Sequence, residues 1–380
     1  MTTDWDVIVI GAGPAGSVAA RQIALLGRRV LLLDKKRFPR RKVCGACLNY
    51  SAVELLEQIG LGDALRSCGG SELNHFQMRA GSRQLLAPLS KGIAVSRTLL
   101  DQRLVDEAVR SGVTFRDGVT ANVGAIQSDR RCVELRDSSP TTQRGKGDET
   151  LLAKIVLVAD GLGHPSLNGL SEFKDRLQKN ARVGAGCEVR DWSPEYKSGT
   201  IHMAVGRGGY VGLTCVEDGA LNIAAALDAS LLREAGGPAR AAASVLSEAG
   251  FPPIPALNNA EWLGTPALTR RTWPIASERL FVLGDAAGYV EPFTGEGIGW
   301  ALSSAVTIAP LANEACAAWS PLLAEAWSNK YAKLVRNRQR ICRTLAGLLR
   351  FPICVRIAMF LLPWMPRLLR WLVRGVSLPD

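Results

Sequence analysis

Histidine is scarce in this chain. His75, His164 and His202 are the only three, and none stands with cysteines at metal-ligand spacing, so no zinc site is expected. Disulfide frameworks are missing as well. The nine cysteines are an odd number without scaffold spacing, which predicts reduced thiols in a cytoplasmic setting. No basic, apolar and cleavage-site pattern precedes the first apolar run, so no signal peptide is expected. In the C-terminal region the longest uncharged run, Ile357–Pro366, has ten residues, about half of what a membrane-spanning helix needs. Acids are nearly absent there too. Residues 330–380 carry eleven Lys or Arg against Asp380 alone, which is +10 of the net +11. The remainder is close to neutral, so the charge is a local appendage and nucleic-acid binding is not expected. At 380 residues, 47% hydrophobic and 21% charged, the chain reads as globular, with two domains.

What is present begins with Asp6–Ile10, a short β-branched apolar run typical of a buried parallel strand. It meets Gly11-Ala12-Gly13-Pro14-Ala15-Gly16, then helical spacing through Leu26, then Gly27 and a second apolar strand ending in Asp34. Gly11 permits the tight turn, Gly13 lets backbone approach a pyrophosphate, and Gly16 lets helix pack closely on strand. Free N–H groups at the helix start favour a phosphate. Asp34, 18 residues after Gly16, can accept hydrogen bonds from ribose hydroxyls. Strand, turn, helix, strand and acid fall in register, which predicts dinucleotide binding.

Lys35–Lys42 is dense in basic residues, suited to a pyrophosphate or to a solvated loop. Cys44 and Cys47 form a CxxC; a tight turn beside a cofactor is preferred over a redox dithiol. Residues 51–67 predict one helix, and 73–95 short strands that make a first excursion into a second domain. A helix over 98–111 follows Ser96-Arg97, with Thr98 and Asp101 at capping-box spacing; Arg97 either reaches a cofactor or is an ordinary surface arginine. Val113–Ile126 reads as a strand pair, 136–150 as a polar loop, and Leu151–Ala159 as a buried strand ending in Asp160-Gly161, where open α/β sheets bind ligands. Four glycine-separated stretches over 183–228 predict an antiparallel sheet walling a substrate chamber, followed by a helix over 231–249. A strand over Leu280–Leu283 then stops at Gly284-Asp285, and a glycine-rich loop with Gly288, Gly295, Gly297 and Gly299 feeds an apolar helix. Asp285 can accept hydrogen bonds from ribityl hydroxyls, and the helix start can face a phosphate or an electron-rich ring edge.

Taken together, GAGPAG (11–16), Asp34, Cys44-Gly45, Ser96-Arg97, Asp160-Gly161 and GDAAG…PFTGEGI (284–298) resemble the FAD-dependent oxidoreductases of the para-hydroxybenzoate hydroxylase-like fold. Within it the sequence is similar to the geranylgeranyl reductase family, with flavin-dependent halogenases as relatives. The resemblance implies FAD held by Gly11, Gly13, Ala15, Gly16, Asp34, Cys44, Gly45, Arg97, Ala121, Asp160, Gly284, Asp285, Gly295, Gly297 and Ile298. Ala121 is placed there by its distance from Arg97. GDAAG followed by GEGI favours the reductase branch over the aromatic hydroxylases, which usually show GDAAH and GQG. Two signatures are missing: the reductases' aromatic-Trp-aromatic-Pro, replaced here by Gly209–Leu213, and the halogenase WxWxIP. A second, nicotinamide-type GxGxxG is also absent.

The expected fold is therefore α/β. It has a discontinuous Rossmann-like FAD-binding domain (1–72, 97–182 and 270–330), an inserted antiparallel-sheet substrate domain (73–96 and 183–269) and a basic amphipathic helical region (331–380). The expected activity is an FAD-dependent oxidoreductase, with NAD(P)H as transient donor, reducing a double bond of an apolar isoprenoid- or polyketide-like substrate. The alternatives are a monooxygenase hydroxylating an aromatic or polyketide substrate and a non-catalytic flavin-binding, lipid-presenting protein. No catalytic acid or base is assigned; Tyr210 and His202 are candidates, with a buried, hydrogen-bonded structural role preferred for each. The tail either lies on an anionic membrane through 341–380 or caps the substrate domain.

Overall fold

The computed structural model describes residues 4–137, 149–291, 293 and 295–365. Two large sheets organise it. The first has five parallel strands in the order Leu280–Val282, Glu149–Val158, Asp4–Ile10, Val30–Leu33 and Thr114–Arg116. The near-continuous apolar runs of the central strands are buried on both sides, as a covered parallel sheet requires, while the edge strand Thr114–Arg116 is partly exposed. The antiparallel hairpin of Val119–Gln127 and Arg130–Asp137 joins the first half of Glu149–Val158. Of the expected polar loop 136–150, residues 138–148 lie outside the described residues, and the flanking positions belong to strands. Helix Pro14–Leu25 packs against Arg97–Arg110 and Gly297–Ala317.

The second sheet has eight strands, beginning with Leu263–Ala267 and Val183–Val189, then Leu221–Leu227, Gly209–Cys215 and Thr200–Gly206. It continues through Ser71–Ala80 and Arg83–Ala94 to the two-residue strand Cys47–Leu48. All pairs are antiparallel except Thr200–Gly206 with Ser71–Ala80. The period of two splits its side chains. Val211, Leu213 and Ile223 pack with Ala241, Ala242 and Val245 of helix Pro238–Glu248. Met203, Val205 and Tyr210 face the other way, toward Val355, Met359 and Leu362 of the C-terminal helical region. The α/β class, with several sheets and C-terminal helices, agrees with the sequence expectation.

Three local expectations are corrected. The helix expected over 51–67 is two, Tyr50–Gln58 and Gly62–Arg66, because Gly60 takes φ +75° and the Leu61 N–H turns back to the Leu56 carbonyl. The helix expected over 231–249 is also two, Ala229–Glu234 and Pro238–Glu248, divided by Gly236 and Gly237 with Pro238 starting the second. The helix after residue 96 is capped by Ser96, whose Oγ accepts from the Leu99 N–H at 3.2 Å. Asp101 is not a capping-box acid; its carboxylate is used elsewhere.

Helices Pro321–Tyr331 and Asn337–Leu348 reach back to the end strand of the first sheet and to the loop that follows it through hydrogen bonds to backbone carbonyls. Trp327, fully buried, donates from Nε1 to the Val282 carbonyl at 3.0 Å, and Gln339 donates to the Gly288 carbonyl at 3.0 Å. Trp327→Ala is expected to destabilise the fold by about 4 kcal/mol, from the cavity and the orphaned carbonyl together. Trp327→Phe, which keeps most of the volume, is expected to lose about 1–3 kcal/mol. Denaturant unfolding of the two variants separates these effects.

Candidate active site

At the first turn the glycines are required by contact. Gly11 has φ +101°, and a Cβ on Gly16 would lie 1.8 Å from the Gly11 carbonyl oxygen. Gly13 is the extended N-cap of Pro14–Leu25. A Cβ there would stand 3.6 Å from Arg97 Nη2 and 3.8 Å from Arg40 Nη2, so two guanidinium groups overlook a bare helix N-terminus. Asp34 fixes the same turn. Its Oδ2 accepts from the Ala12 N–H at 2.9 Å and from Arg40 at 3.3 Å, while Oδ1 accepts from the Lys36 N–H.

Arg40 and Arg97 share one acid. Arg97 donates to both oxygens of Asp101, at 2.8 and 2.7 Å, and Arg40 donates to Oδ2 at 3.0 Å. Asp101 is wholly buried. Desolvation opposes the charge on Arg97, but the attraction and paired hydrogen bonds of Asp101 outweigh it and raise its pKa. The Arg97–Asp101 spacing of i, i+4 was visible in the sequence, yet Asp101 was read as a cap and Arg40 only as part of a basic run.

The second glycine loop follows Leu280–Val282. Gly284 takes φ +59° and donates to Ser304 Oγ at 3.1 Å. Thr272 donates to the Ala286 carbonyl and Tyr331 to that of Gly284, so backbone oxygens on both sides of Asp285 are held. Asp285 faces the interior. Burial pushes its carboxyl pKa up, against the pull of Lys42 and Arg97. Lys42 is driven down by desolvation and Arg97, against the pull of Asp285.

Between these loops and the second sheet lies a cavity of about 520 Å³. Gly13, Ala15, Cys44, Gly45, Arg97, Asp285, Gly295, Gly297 and Ile298 line one end of it. Tyr210, Tyr289 and Phe293 lie farther along, and Met78, Met203, Val355, Ala358 and Leu362 close the far end. Gly11, Gly16 and Gly284 sit in the supporting turns, with Asp34 behind Gly13. Cys47 is a free thiol bonded to the Gly45 carbonyl and in contact with Thr214; burial pushes its pKa up to about 12, which disfavours a thiolate.

Three candidates fall outside this cavity. Asp160 accepts from the Ser166 N–H at 2.9 Å and caps the turn Pro165–Leu167. Ala121 is packed in the core of the first domain, on the strand whose Val119 N–H bonds to the Asp34 carbonyl. His202 alternates with cavity-lining Met203 and points to the opposite face of the sheet. Its Nδ1 pairs with Gln77 Oε1 at 2.6 Å, and its ring meets Tyr196 and Phe251 edge-on. It is a structural group, not a candidate acid.

An extended dinucleotide fits the residues present: a glycine-cleared helix N-terminus under two arginines, a carboxylate at the end of the second strand, and a second glycine loop opening onto one apolar cavity. These are the marks of a dinucleotide-binding flavoenzyme. The chain matches the family model described as FAD binding domain over residues 4–315, and it belongs to that family, an FAD-dependent enzyme of the oxidoreductase and monooxygenase superfamily. The menaquinone reductase of Mycobacterium tuberculosis is 29% identical over 377 residues, 91% of this chain and 84% of its own length. That of Mycolicibacterium smegmatis is 26% identical, over 93% and 86%. Among solved structures, a flavin-dependent brominase superposes with a TM-score of 0.77 at 17% identity, covering 98% of this chain and 94% of its own. A flavoprotein/dehydrogenase from Cytophaga hutchinsonii reaches 0.79 at 18%, covering 98% and 93%. At those identities the structures establish the shared fold. Among the described residues no group of metal-ligating side chains is found.

Asp285→Ala is expected to lower flavin retained through gel filtration at least tenfold, about 1.4 kcal/mol of binding or more; unchanged flavin-to-protein absorbance would remove Asp285 from the site. A second expectation concerns His202, whose pKa burial lowers from 6.5 to about 4. The unfolded chain accepts a proton that the folded state refuses, so stability is full above pH 6.5 and falls as the pH drops toward 4. The loss is on the order of 3 kcal/mol. Urea midpoints at pH 7 and 4.5 should show this slope in the native protein and its reduction in His202→Gln.

Proposed function

We propose that the chain is an FAD-dependent reductase that takes hydride from NAD(P)H and reduces a carbon–carbon double bond of a long apolar substrate of the isoprenoid or polyketide class, a prenylated quinone being the concrete first choice. One observation carries this reading: a single cavity runs from the two glycine loops to a chamber walled by methionine, leucine and valine side chains. Such a volume is typical of small-molecule sites, and its far end offers contact area rather than charge. The menaquinone reductases, similar over nine-tenths of the chain, support the substrate class. GDAAG with GEGI supports the geranylgeranyl-reductase-like branch.

Reduced FAD supplies hydride when bound; the chain's own residues supply position, water exclusion and a proton. In this reading Gly13, Arg40 and Arg97 hold the phosphates, Asp34 the ribose, and Asp285 the ribityl chain. Tyr210 lines the cavity, and burial together with Glu291 keeps its pKa well above the ordinary tyrosine value. Its hydroxyl stays protonated at neutral pH, and from the cavity wall it can hand a proton to the carbon opposite the hydride, whose developing negative charge is far more basic than a phenolate. Arg182, whose guanidinium stands 5.5 Å from the ring, supports the phenolate left behind.

The test is anaerobic reduction of the yellow protein by NADPH and by NADH, followed by mixing with a prenylated quinone or with oxygen. Flavin reoxidation by the quinone under nitrogen is the expected result, with a product that remains heavier by two hydrogens in the side chain after the ring is reoxidised in air; a product that returns to the starting mass would mean reduction of the quinone ring instead. Oxygen consumption matched mole for mole by a hydroxylated product would overturn it in favour of a monooxygenase. Tyr210→Phe is expected to retain its flavin and its rate of reduction by NAD(P)H but to slow the quinone step by about 100-fold.

A further inference from the structure

We propose that the helix Pro352–Leu361 seats the protein on an anionic lipid bilayer and that the cavity opens there, toward the hydrocarbon. The seating rests on surface chemistry alone; the delivery of substrate through the mouth rests on the apolar-substrate reading above. Arg356 is the one charged residue of this helix, and apolar side chains otherwise run round it. Val355, Met359 and Leu362 are buried over the cavity side of the second sheet. On the outward side Ile353 is 69% exposed, Phe360 56%, and Trp364, in the turn that follows, 80%. An amphipathic cap with solvated polar residues outward does not look like this. Apolar side chains directed to both sides need a second apolar phase.

The position of the mouth is given by two side chains. Leu348 and Ile357 line the cavity and are also 47% and 53% exposed, so the cavity wall and the exposed apolar face are the same surface there. No single described helix is long and apolar enough to cross a membrane. At ten residues Pro352–Leu361 is roughly 15 Å long, against a hydrocarbon core of about 30 Å, so it can lie in the interface but not span it.

Charge selects the occupant. The preceding helix exposes Arg340 and Arg343, and residues 330–380 carry eleven Lys or Arg against one acid. A basic helix followed by an apolar one that ends at Trp364 suits anionic headgroups with the first and acyl chains with the second. A second copy of the chain would bring the same positive charge to itself, which opposes a symmetric dimer on this patch.

The experiment is co-sedimentation of the FAD-loaded protein with vesicles of phosphatidylcholine alone or with one-third phosphatidylglycerol. Binding is expected only to the anionic vesicles and should weaken as salt is raised. The double variant Phe360→Ser/Trp364→Ser is expected to bind at least about tenfold more weakly, with flavin content and NAD(P)H reduction rate unchanged as the check on folding. Equal binding by the variant, or none by the native protein, overturns the proposal. So does a dimer in sedimentation equilibrium that the double variant dissolves, which would assign the face to a second copy. Binding is read without turnover, so a wrong substrate class leaves this result intact. Faster turnover of vesicle-borne than of micellar prenylated quinone, lost in the same variant, tests delivery separately.

Discussion

Two arginines share one carboxylate in the interior, and the nucleotide end of the molecule is arranged around that fact. A lone buried acid or guanidinium is strongly disfavoured; a compensated set is tolerated when its hydrogen bonds are met. Asp101 satisfies Arg97 with both oxygens and Arg40 with one, and Arg40 passes on to Asp34, whose other contacts are backbone N–H groups of the first turn and the strand end. Four charges thus cancel across two separate segments of chain. The consequence is geometric: both guanidinium groups are held over Gly13 before any ligand arrives. A phosphate group meeting them finds preorganised donors instead of flexible side chains.

This arrangement explains which parts of the site could be read in the sequence. Gly11, Gly13, Gly16 and Asp34 obey local rules, because turn, helix start and strand end are adjacent in the chain. Gly284 and Asp285 do so for the same reason. Asp101 has one local partner, Arg97 at i, i+4, and one distant partner, Arg40, 61 residues away; its equal claim to a cap, by spacing from Thr98, hides both. Asp160 stands at the end of its strand as expected; one oxygen accepts a backbone N–H six residues on, and the other is buried with no hydrogen-bond partner among the described residues. His202 and Met203 show the limit set by period: a strand can be recognised while its inward parity is not, and one residue decides between structural ring and cavity wall.

The broken helices follow the same division. Leu55, Leu56 and Ile59 continue an apolar face whose period says nothing about where it stops, and Gly60 with positive φ ends it. The C-terminal carbonyl anchors were beyond reach for another reason. Trp327 binds the backbone oxygen at the end of the strand that leads into the glycine loop, and Gln339 one within the loop; a backbone acceptor leaves no trace in side-chain identity. Their effect is large all the same, because a loop rich in glycine has little of its own to define its shape. Helix Asn337–Leu348, from the region set apart in the sequence, thus joins Pro321–Tyr331 in framing the loop that carries Asp285.

The cavity joins two environments of unlike polarity, and the chemistry proposed for it needs both. At the glycine loops the charges of Arg97, Lys42 and Asp285 oppose one another across a short span. Along the second sheet the lining turns to Met78, Met203 and the small residues Gly212 and Ala224, with the C-terminal helices above. Hydride transfer to an unactivated apolar double bond gains nothing from water and loses hydride to side reactions where water or oxygen has free access. A polar end that binds the cofactor and a dry end that binds the acceptor satisfy both demands in one continuous space. The same dryness makes release of an apolar product into water unfavourable. An apolar helix face continuous with the cavity wall removes that penalty, because substrate and product need never be hydrated.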